Sequence, residues 1–210
     1  MLTLETPRLL FASTPISVMR ERLVSADFLA DVWVGAPGAV TGDIRLSVHF
    51  PAEWPGEDAF TMLPLWIARR ERLPDPGPWC DGVVVRREDH LAVGSMGFKT
   101  PPGATGTVEI GYAVNRSQRG RGYATEMAGA LVAWGLDQPE VRRVTAECLV
   151  SNLASARVLE KVGFRQLGRR PSEEGDLLLW ERRGPGIERR PAAAADGAAV
   201  GLGGPLTEPG

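Results

Sequence analysis

The sequence is poor in cysteine and has no long apolar run. Its two cysteines, Cys80 and Cys148, are far apart and form no CxxC pair, which excludes a disulfide scaffold and a zinc site of paired cysteines. No apolar run approaches the roughly 20 residues that cross a membrane. The first residues have neither a basic start nor an apolar signal core. We therefore expect a cytoplasmic protein with no metal and no membrane partner.

Excess charge of one sign is also missing. Lysine and arginine together number 24 and the acidic residues 26, for a net charge of −2, so we expect no nucleic-acid partner. A hydrophobic content of 43% and six tryptophans are enough for one well-packed domain, which we assign to residues 1–183. Residues 184–210 lack aromatics and are rich in proline, alanine and glycine, which predicts a disordered tail.

The chain is organised around one stretch in which a strand, a polar turn and a helix follow one another. Apolar side chains alternate over 107–114, as in a strand, and recur at helical spacing over 123–136. The turn between them contains Gly120 and Gly122, which let successive backbone N–H groups converge. With the N-terminus of the helix, this turn forms an anion cradle, to which arginines add charge. The expected guest is a phosphate or pyrophosphate, and the alternative is a solvated surface turn.

Two motifs, in this order, resemble those of the GNAT superfamily of N-acetyltransferases. The first is Arg119-Gly-Arg-Gly-Tyr-Ala124, similar to the Arg/Gln-x-x-Gly-x-Gly/Ala loop that holds the pyrophosphate of acetyl-coenzyme A. The second runs from Asn152 through Ser155 and Lys161 to Gly163-Phe164, similar to the family's Asn-x-x-Ser/Ala helix ending in Lys-x-Gly-Phe. The match covers roughly residues 85 to 182, and the nearest branch looks like the ribosomal-protein (Rim-type) acetyltransferases.

The resemblance implies an α+β fold: a mixed, mostly antiparallel sheet with one splayed parallel pair, flanked by helices. The residue patterns agree with it, since the central strand, the central helix and a strand over 144–150 form a crossover that makes the two strands parallel. The remaining predicted elements are a first strand over 3–11, a helix from Pro15 whose apolar stripe extends to Phe28, a strand over 44–50, a helix over 60–72, and hairpins 79–85/90–98 and 165–169/177–181.

The resemblance also implies where acetyl-coenzyme A, the co-substrate, would bind. Loop N–H groups would take the pyrophosphate, and the backbone of the central strand would pair with the pantetheine arm as an added strand. Asn152 would bind the arm by its amide or serve only as a helix cap. The expected cofactor-binding residues are Tyr112, Ala113, Val114, Arg119, Gly120, Arg121, Gly122, Tyr123, Ala124, Asn152 and Ser155.

Catalysis requires a group that deprotonates the amine and one that protonates the leaving thiolate. We expect Glu109 to be the base, although a partly solvated strand glutamate is an equal alternative, and His49 is a weaker candidate. Many relatives carry a tyrosine acid at the position of Leu159, which cannot donate a proton. The acid could instead be Ser155, Tyr112, Tyr123 or water.

The expected function is acetyl transfer to an amine, on a small molecule or a protein N-terminus, by direct attack in a ternary complex. A non-catalytic acyl-coenzyme A sensor on the same scaffold is the alternative, because Leu159 departs from the family pattern. A monomer and a homodimer both remain open. Four residues are candidates for the acceptor pocket or, more simply, ordinary core and interface aromatics: His49, Trp54, Trp66 and Trp79.

Overall fold

A computed structural model describes residues 2–36, 44–73 and 77–184; the expected tail beyond Gly184 lies outside these ranges. The strands are β1 Thr3–Glu5, β2 Leu9–Ser13, β3 Phe28–Val34, β4 Ile44–Phe50, β5 Asp81–Arg86, β6 Leu91–Phe98, β7 Thr107–Val114, β8 Arg143–Leu149, β9 Arg165–Arg170 and β10 Leu177–Arg183. The helices are α1 Ile16–Val24, α2 Glu57–Phe60, α3 Leu63–Arg72, α4 Tyr123–Asp137 and α5 Leu153–Lys161. Within these ranges, no helix has the length and apolarity needed to span a bilayer.

The strands form one mixed sheet in the order β1-β2-β5-β6-β7-β8-β10-β9, with the β3–β4 hairpin beside β6. Neighbours on this path are antiparallel, except that β7 and β8 are parallel. Helix α4 makes the crossover between those two strands. The predicted mixed, mostly antiparallel sheet with one parallel pair is confirmed.

The parallel pair is joined at one end only. Thr107–Glu109 pair with Arg143–Thr145, and no pairing continues beyond Glu109. From 110 to 114, β7 is bonded to β6 on one side, while its other edge faces a gap between the diverging strands. This gap gives the sheet an opening at its centre.

The two faces of the sheet carry separate apolar cores. On one face, Val108 and Ile110 of β7 pack with Met127 and Leu131 of α4. Each large side chain buried there contributes about 1.5–3 kcal/mol. The other face is covered by α1 and the β3–β4 hairpin. Because side chains alternate along a strand, the odd-numbered residues of β7, beginning with Glu109, belong to this second face.

Three boundaries differ from the sequence-based prediction. The first strand is a hairpin of β1 and β2, because the chain turns at Pro7 and the N–H of Thr6 bonds to the carbonyl of Leu9 at 2.9 Å. Phe28 does not continue α1 but begins β3, stacking on Phe50 at 5.1 Å between ring centroids. The predicted helix over 60–72 is broken into α2 and α3, and α3 has a proline in its first turn, a position that favours a new helix start.

Candidate active site

The loop after β7 is anchored by Asn115, which is fully buried. Its backbone N–H bonds to the carbonyl of Val93 at 2.9 Å, and its side-chain amide donates to the carbonyl of Ala92 at 2.9 Å. Beyond a short 3₁₀ turn, Gly120 and Gly122 adopt φ values of 75° and 79°. This left-handed region costs other residues about 1–2 kcal/mol. Glycine therefore permits the tight curl that the sequence predicts here.

Helix α4 begins with its N-terminus open. Gly122 stands at the N-cap, and no side chain caps the helix. Among the described residues, the first backbone donor of this helix with a partner is Glu126, whose N–H bonds to the carbonyl of Gly122 at 3.0 Å. In the preceding turn, the N–H of Arg119 bonds to the carbonyl of Arg116 at 3.3 Å. Those of Gly120 to Gly122 have no partner in the described part of the chain, and they lie at the positive end of the helix dipole. Such a helix start favours an anion.

The two arginines of the loop have different contacts. Nε of Arg119 donates to the carbonyl of Val114 at 3.1 Å, which brings this guanidinium to the open end of β7. Arg121 is exposed, and its carbonyl accepts a hydrogen bond from Nη1 of Arg8 at 3.0 Å. Arg119 and Arg121 thus place one guanidinium beside the open end of β7 and one exposed side chain on the loop.

Arg8 connects the β1–β2 turn to this loop and was missed by the sequence prediction. Its Nε donates to Oε2 of Glu126 at 2.7 Å, and its guanidinium lies 5.0 Å from the centre of the Tyr123 ring. The hydroxyl of Thr6 donates to the same carboxylate at 2.6 Å. The only signal was the Thr-Pro-Arg-Leu-Leu opening segment, which the sequence prediction treats as a strand.

Replacing Arg8 by alanine is expected to weaken acetyl-coenzyme A binding about three- to tenfold without lowering kcat at saturation. The variant frees the Arg121 carbonyl and takes the guanidinium away from Glu126, whose carboxylate keeps the Thr6 hydroxyl. The loop therefore loses a support while its own atoms stay. Isothermal titration and initial rates measure the two quantities. Arg20→Ala is the control, because Arg20 is an exposed arginine like Arg8 and pairs with Glu71 at 2.6 Å, away from the loop. Little effect is expected for this variant. Equal affinity losses in both variants would refute the role of Arg8.

Tyr112 of β7 and Ser155 of α5 are hydrogen-bonded to each other beside the gap. The Tyr112 hydroxyl lies 2.8 Å from Oγ of Ser155 and donates to the Ser155 carbonyl at 3.2 Å. Burial raises the pKa of Tyr112 to about 12, so the phenol stays protonated near neutral pH. This hydroxyl is a proton donor held beside the gap.

Helix α5 is capped as its sequence predicts. Oδ1 of Asn152 accepts from the N–H of Ser155 at 3.0 Å, which leaves the side-chain NH₂ of Asn152 without a partner in the described part of the chain. One side chain can therefore cap the helix and still donate to a ligand. Leu159, on the same helix, is fully buried in the α4–α5 core.

The opposite face of β7 carries charged side chains. Glu109 forms an ion pair with Lys99 and is 30% exposed. On β8, Glu147 binds Arg170 through two hydrogen bonds of 3.1 Å and 2.6 Å. Glu109 thus lies at the closed end of the gap, on the face away from Tyr112.

The segment before α2 lies against this face of β7. Trp54 is buried and its Nε1 donates to the carbonyl of Gly94 at 3.1 Å. A Cβ on Gly56 would come within 2.8 Å of the Ala113 Cβ. Glu53 accepts from the N–H of Ser117 at 2.8 Å, and this hydrogen bond lowers the pKa of Glu53. The segment therefore contacts both β7, at Ala113, and the loop that follows β7, at Ser117.

The other pocket candidates lie in different places. His49 bonds to Asp27 at 2.9 Å, and β4 pairs with β6 at Leu91. Leu91 is three residues from Gly94, which is in register with Val114 at the open end of β7, so His49 is about 10 Å from that end along the strand. Trp79 packs in the α4 core, 4.9 Å from the Phe98 ring. The structure does not bring His49 together with the cleft.

The acetyltransferase (GNAT) domain model matches residues 40–165. The chain belongs to the GNAT acetyltransferase family. It is 36% identical over 123 residues to the uncharacterized N-acetyltransferase YjdG of Bacillus subtilis, covering 57% of this chain and 71% of that one. It is 30% identical over 158 residues to aminoglycoside N(6')-acetyltransferase type 1 of Klebsiella pneumoniae, covering 70% and 78%.

A solved structure, the ribosomal-protein-S5-alanine acetyltransferase of Vibrio fischeri, shares the fold. Its TM-score is 0.59 at 17% identity, and the match covers 89% of this GNAT chain and 98% of that one. The predicted family and enzyme class, an acetyl-coenzyme A-dependent N-acetyltransferase, are confirmed. The roles of Glu109, of the loop residues and of Asn152 stay predictions.

Proposed function

We propose that this GNAT protein transfers the acetyl group of acetyl-coenzyme A to an amine by direct attack, with both substrates bound together. The observation that carries the proposal is the unpaired edge of β7 beyond Glu109. This edge leads to a loop in which the N–H groups of Gly120 to Gly122 have no partner among the described residues. Acetyl-coenzyme A supplies an activated thioester, and the protein's residues hold and polarise it. The gap between β7 and β8 and the loop after β7 together support one continuous binding site for acetyl-coenzyme A, which extends from its diphosphate to its reacting carbon.

Four groups of residues hold the co-substrate in this proposal. The N–H groups from Gly120 to Ala124 bind the pyrophosphate, whereas that of Arg119 bonds to the carbonyl of Arg116 at 3.3 Å. The two loop arginines add charge. The backbone of Tyr112–Val114 pairs with the pantetheine arm as an added strand. A β7 N–H polarises the thioester carbonyl. The free amide of Asn152 donates to the arm.

Glu109 and Tyr112 act from opposite faces of β7. Glu109 accepts a proton from the incoming ammonium group, directly or through water, and passes it to solvent. The amine nitrogen then attacks the thioester carbon and loses its second proton by the same route as the amide forms. As the C–S bond breaks, the Tyr112 hydroxyl gives its proton to the sulfur and regains one from solvent through Ser155. Because the amine and the thioester reach the gap from opposite faces of the sheet, neither substrate blocks the other, which supports direct transfer. Tyr112 replaces the tyrosine that many relatives have at the position of Leu159.

Replacing Glu109 by glutamine is expected to lower kcat/KM about 100-fold at pH 7. The amine arrives as ammonium, since its pKa is about 10, and glutamine cannot take the proton. The deficit should shrink by about tenfold per pH unit as free amine becomes abundant, which a pH–rate profile measures. Glu147→Gln, on the facing strand, is the control and should change kcat/KM by less than about twofold. A pH-independent deficit would contradict the assignment of the base.

The experiment that tests the function is thiol release from acetyl-coenzyme A over a panel of amines, with mass-spectrometric detection of the acetylated product. Relatives are named for aminoglycosides and for ribosomal proteins, so the panel includes an aminoglycoside, a polyamine and a peptide N-terminus. Acetylated product supports the enzyme. Tight acetyl-coenzyme A binding without turnover of any amine would favour the non-catalytic sensor.

A further inference from the structure

Glu53 joins two parts of the molecule that serve different substrates in the proposed function. It stands in the segment before α2, which approaches the second face of β7 at Gly56, where a Cβ would come within 2.8 Å of the Ala113 Cβ. Its carboxylate accepts a hydrogen bond from the N–H of Ser117 at 2.8 Å. Ser117 lies in the turn between β7 and the glycines of the diphosphate loop. Glu53 therefore connects the acceptor side of the sheet with the coenzyme side.

The 3₁₀ turn Arg116–Gln118 receives no cap from its immediate neighbours. Asn115 occupies the N-cap position, but its side chain makes no hydrogen bond to the turn. A side-chain oxygen that accepts a backbone N–H at this point holds the start of a helical turn. Glu53 supplies that oxygen from 64 positions away in the chain. The shape of the turn thus depends on a residue that belongs to the acceptor side.

The backbone around Glu53 is held on both of its sides. Arg22 of α1 donates from Nε to the carbonyl of Trp54 at 2.5 Å and from Nη2 to the carbonyl of Ala52 at 2.7 Å. The Trp54 ring is buried and bonds to the carbonyl of Gly94 at 3.1 Å. An exposed glutamate loses conformational entropy when it forms a fixed contact. Because the carbonyls before and after Glu53 are already fixed, less of this entropy is lost here.

The negative charge of Glu53 has the opposite effect on an anionic ligand. The hydrogen bonds from Ser117 lower the pKa of Glu53 most, and Arg116 and Arg119 lower it further. The carboxylate therefore offsets part of the positive charge that the loop offers to a diphosphate. Salt screens such effects between exposed groups, whereas the hydrogen bond to Ser117 acts through direct contact. We therefore expect the hydrogen bond to decide the net effect of Glu53 on coenzyme binding.

We propose that Glu53 is a positioning residue for the coenzyme, because it caps the turn at Ser117 and so holds the diphosphate loop in the shape that binds. This inference rests on the proposed function, in which the loop receives the diphosphate. Glu53 touches neither reacting group. Its loss should therefore raise the KM for acetyl-coenzyme A and leave kcat at saturation unchanged.

The test compares three variants by calorimetric titration with acetyl-coenzyme A and by initial rates. Glu53→Ala removes the cap and should weaken binding about three- to tenfold. Glu53→Gln keeps an oxygen that accepts the Ser117 N–H, and its affinity should stay within about twofold of the wild type. Glu57→Ala is the matched control and should not weaken binding. Glu57 also places an exposed carboxylate near the loop, 3.9 Å from Arg116, but in the described part of the chain it accepts no hydrogen bond from the loop backbone.

Three results would overturn the proposal. One is a Glu53→Ala protein that binds acetyl-coenzyme A as tightly as the wild type or more tightly. The second is a Glu53→Gln protein that loses as much affinity as Glu53→Ala, and the third is an equal loss in Glu57→Ala.

A wild type that does not bind acetyl-coenzyme A at all would refute the proposed function, and amide hydrogen exchange then decides about Glu53 separately. Exchange of the Ser117 amide that is about tenfold faster in Glu53→Ala, but not in Glu57→Ala, supports the cap. Unchanged exchange at Ser117 in Glu53→Ala rejects it.

Discussion

Replacing Tyr112 by phenylalanine is expected to lower kcat about 100-fold and to leave acetyl-coenzyme A affinity within a factor of about two. The hydroxyl lies 2.8 Å from Oγ of Ser155 at the gap, while its ring contacts the α4 core and would stay there. Pre-steady-state rates of thiol release measure the effect. Thr145→Val is the matched control, because it also removes a hydroxyl bonded to a backbone carbonyl, that of Val108 at 3.2 Å, at the paired end of the strands.

The acid role and a structural role of Tyr112 respond differently to the leaving group. A thiol with a lower pKa leaves without a proton, so the loss in Tyr112→Phe should shrink with acyl donors of that kind. A loss of the same size with every donor would assign Tyr112 a structural role. Because burial raises the pKa of Tyr112 to about 12, the wild-type kcat should not fall through ionisation of this phenol until the pH nears that value.

Replacing Gly122 by proline is expected to weaken acetyl-coenzyme A binding by about 100-fold or more. The φ of Gly122 is 79°, whereas the proline ring holds φ near about −65°. The loop must then unwind, and its N–H groups no longer converge with those of α4. Titration calorimetry measures the affinity, and circular dichroism checks that the variant is folded.

The control for Gly122→Pro is Gly163→Ala. Gly163 also has a positive φ, 86°, at the C-terminal end of α5, so a side chain there strains the backbone away from the loop. We expect a loss of stability of about 1 kcal/mol with acetyl-coenzyme A affinity retained. A folded Gly122→Pro protein that binds acetyl-coenzyme A as well as the wild type would rule out the loop as the diphosphate site.

Strand β3 shows why part of the fold escaped prediction. The burial of its residues, Phe28 to Val34, alternates, but their polarity does not, because the exposed Leu29 and Trp33 are apolar like the buried Val32 and Val34. Without a period of two in polarity, the residues do not indicate a strand. The hairpin exists because β3 pairs with β4 along its whole length, a partner more than ten residues away.

The sequence by itself determined the parts of the site that depend on near neighbours. Alternation and helical spacing predicted β7 and α4, the glycines predicted the left-handed turn between them, and Asn152 predicted the start of α5. Each depends on residues within about one turn of each other, so a short segment carries the whole cause.

Only the tertiary structure decided which distant side chains meet at the gap. Arg8 reaches Glu126 across 118 positions, and Tyr112 reaches Ser155 across 43. Such pairs follow from strand order and from the point where β7 and β8 separate. No local sequence pattern encodes the strand order or the point of separation, because both depend on the packing of the whole sheet.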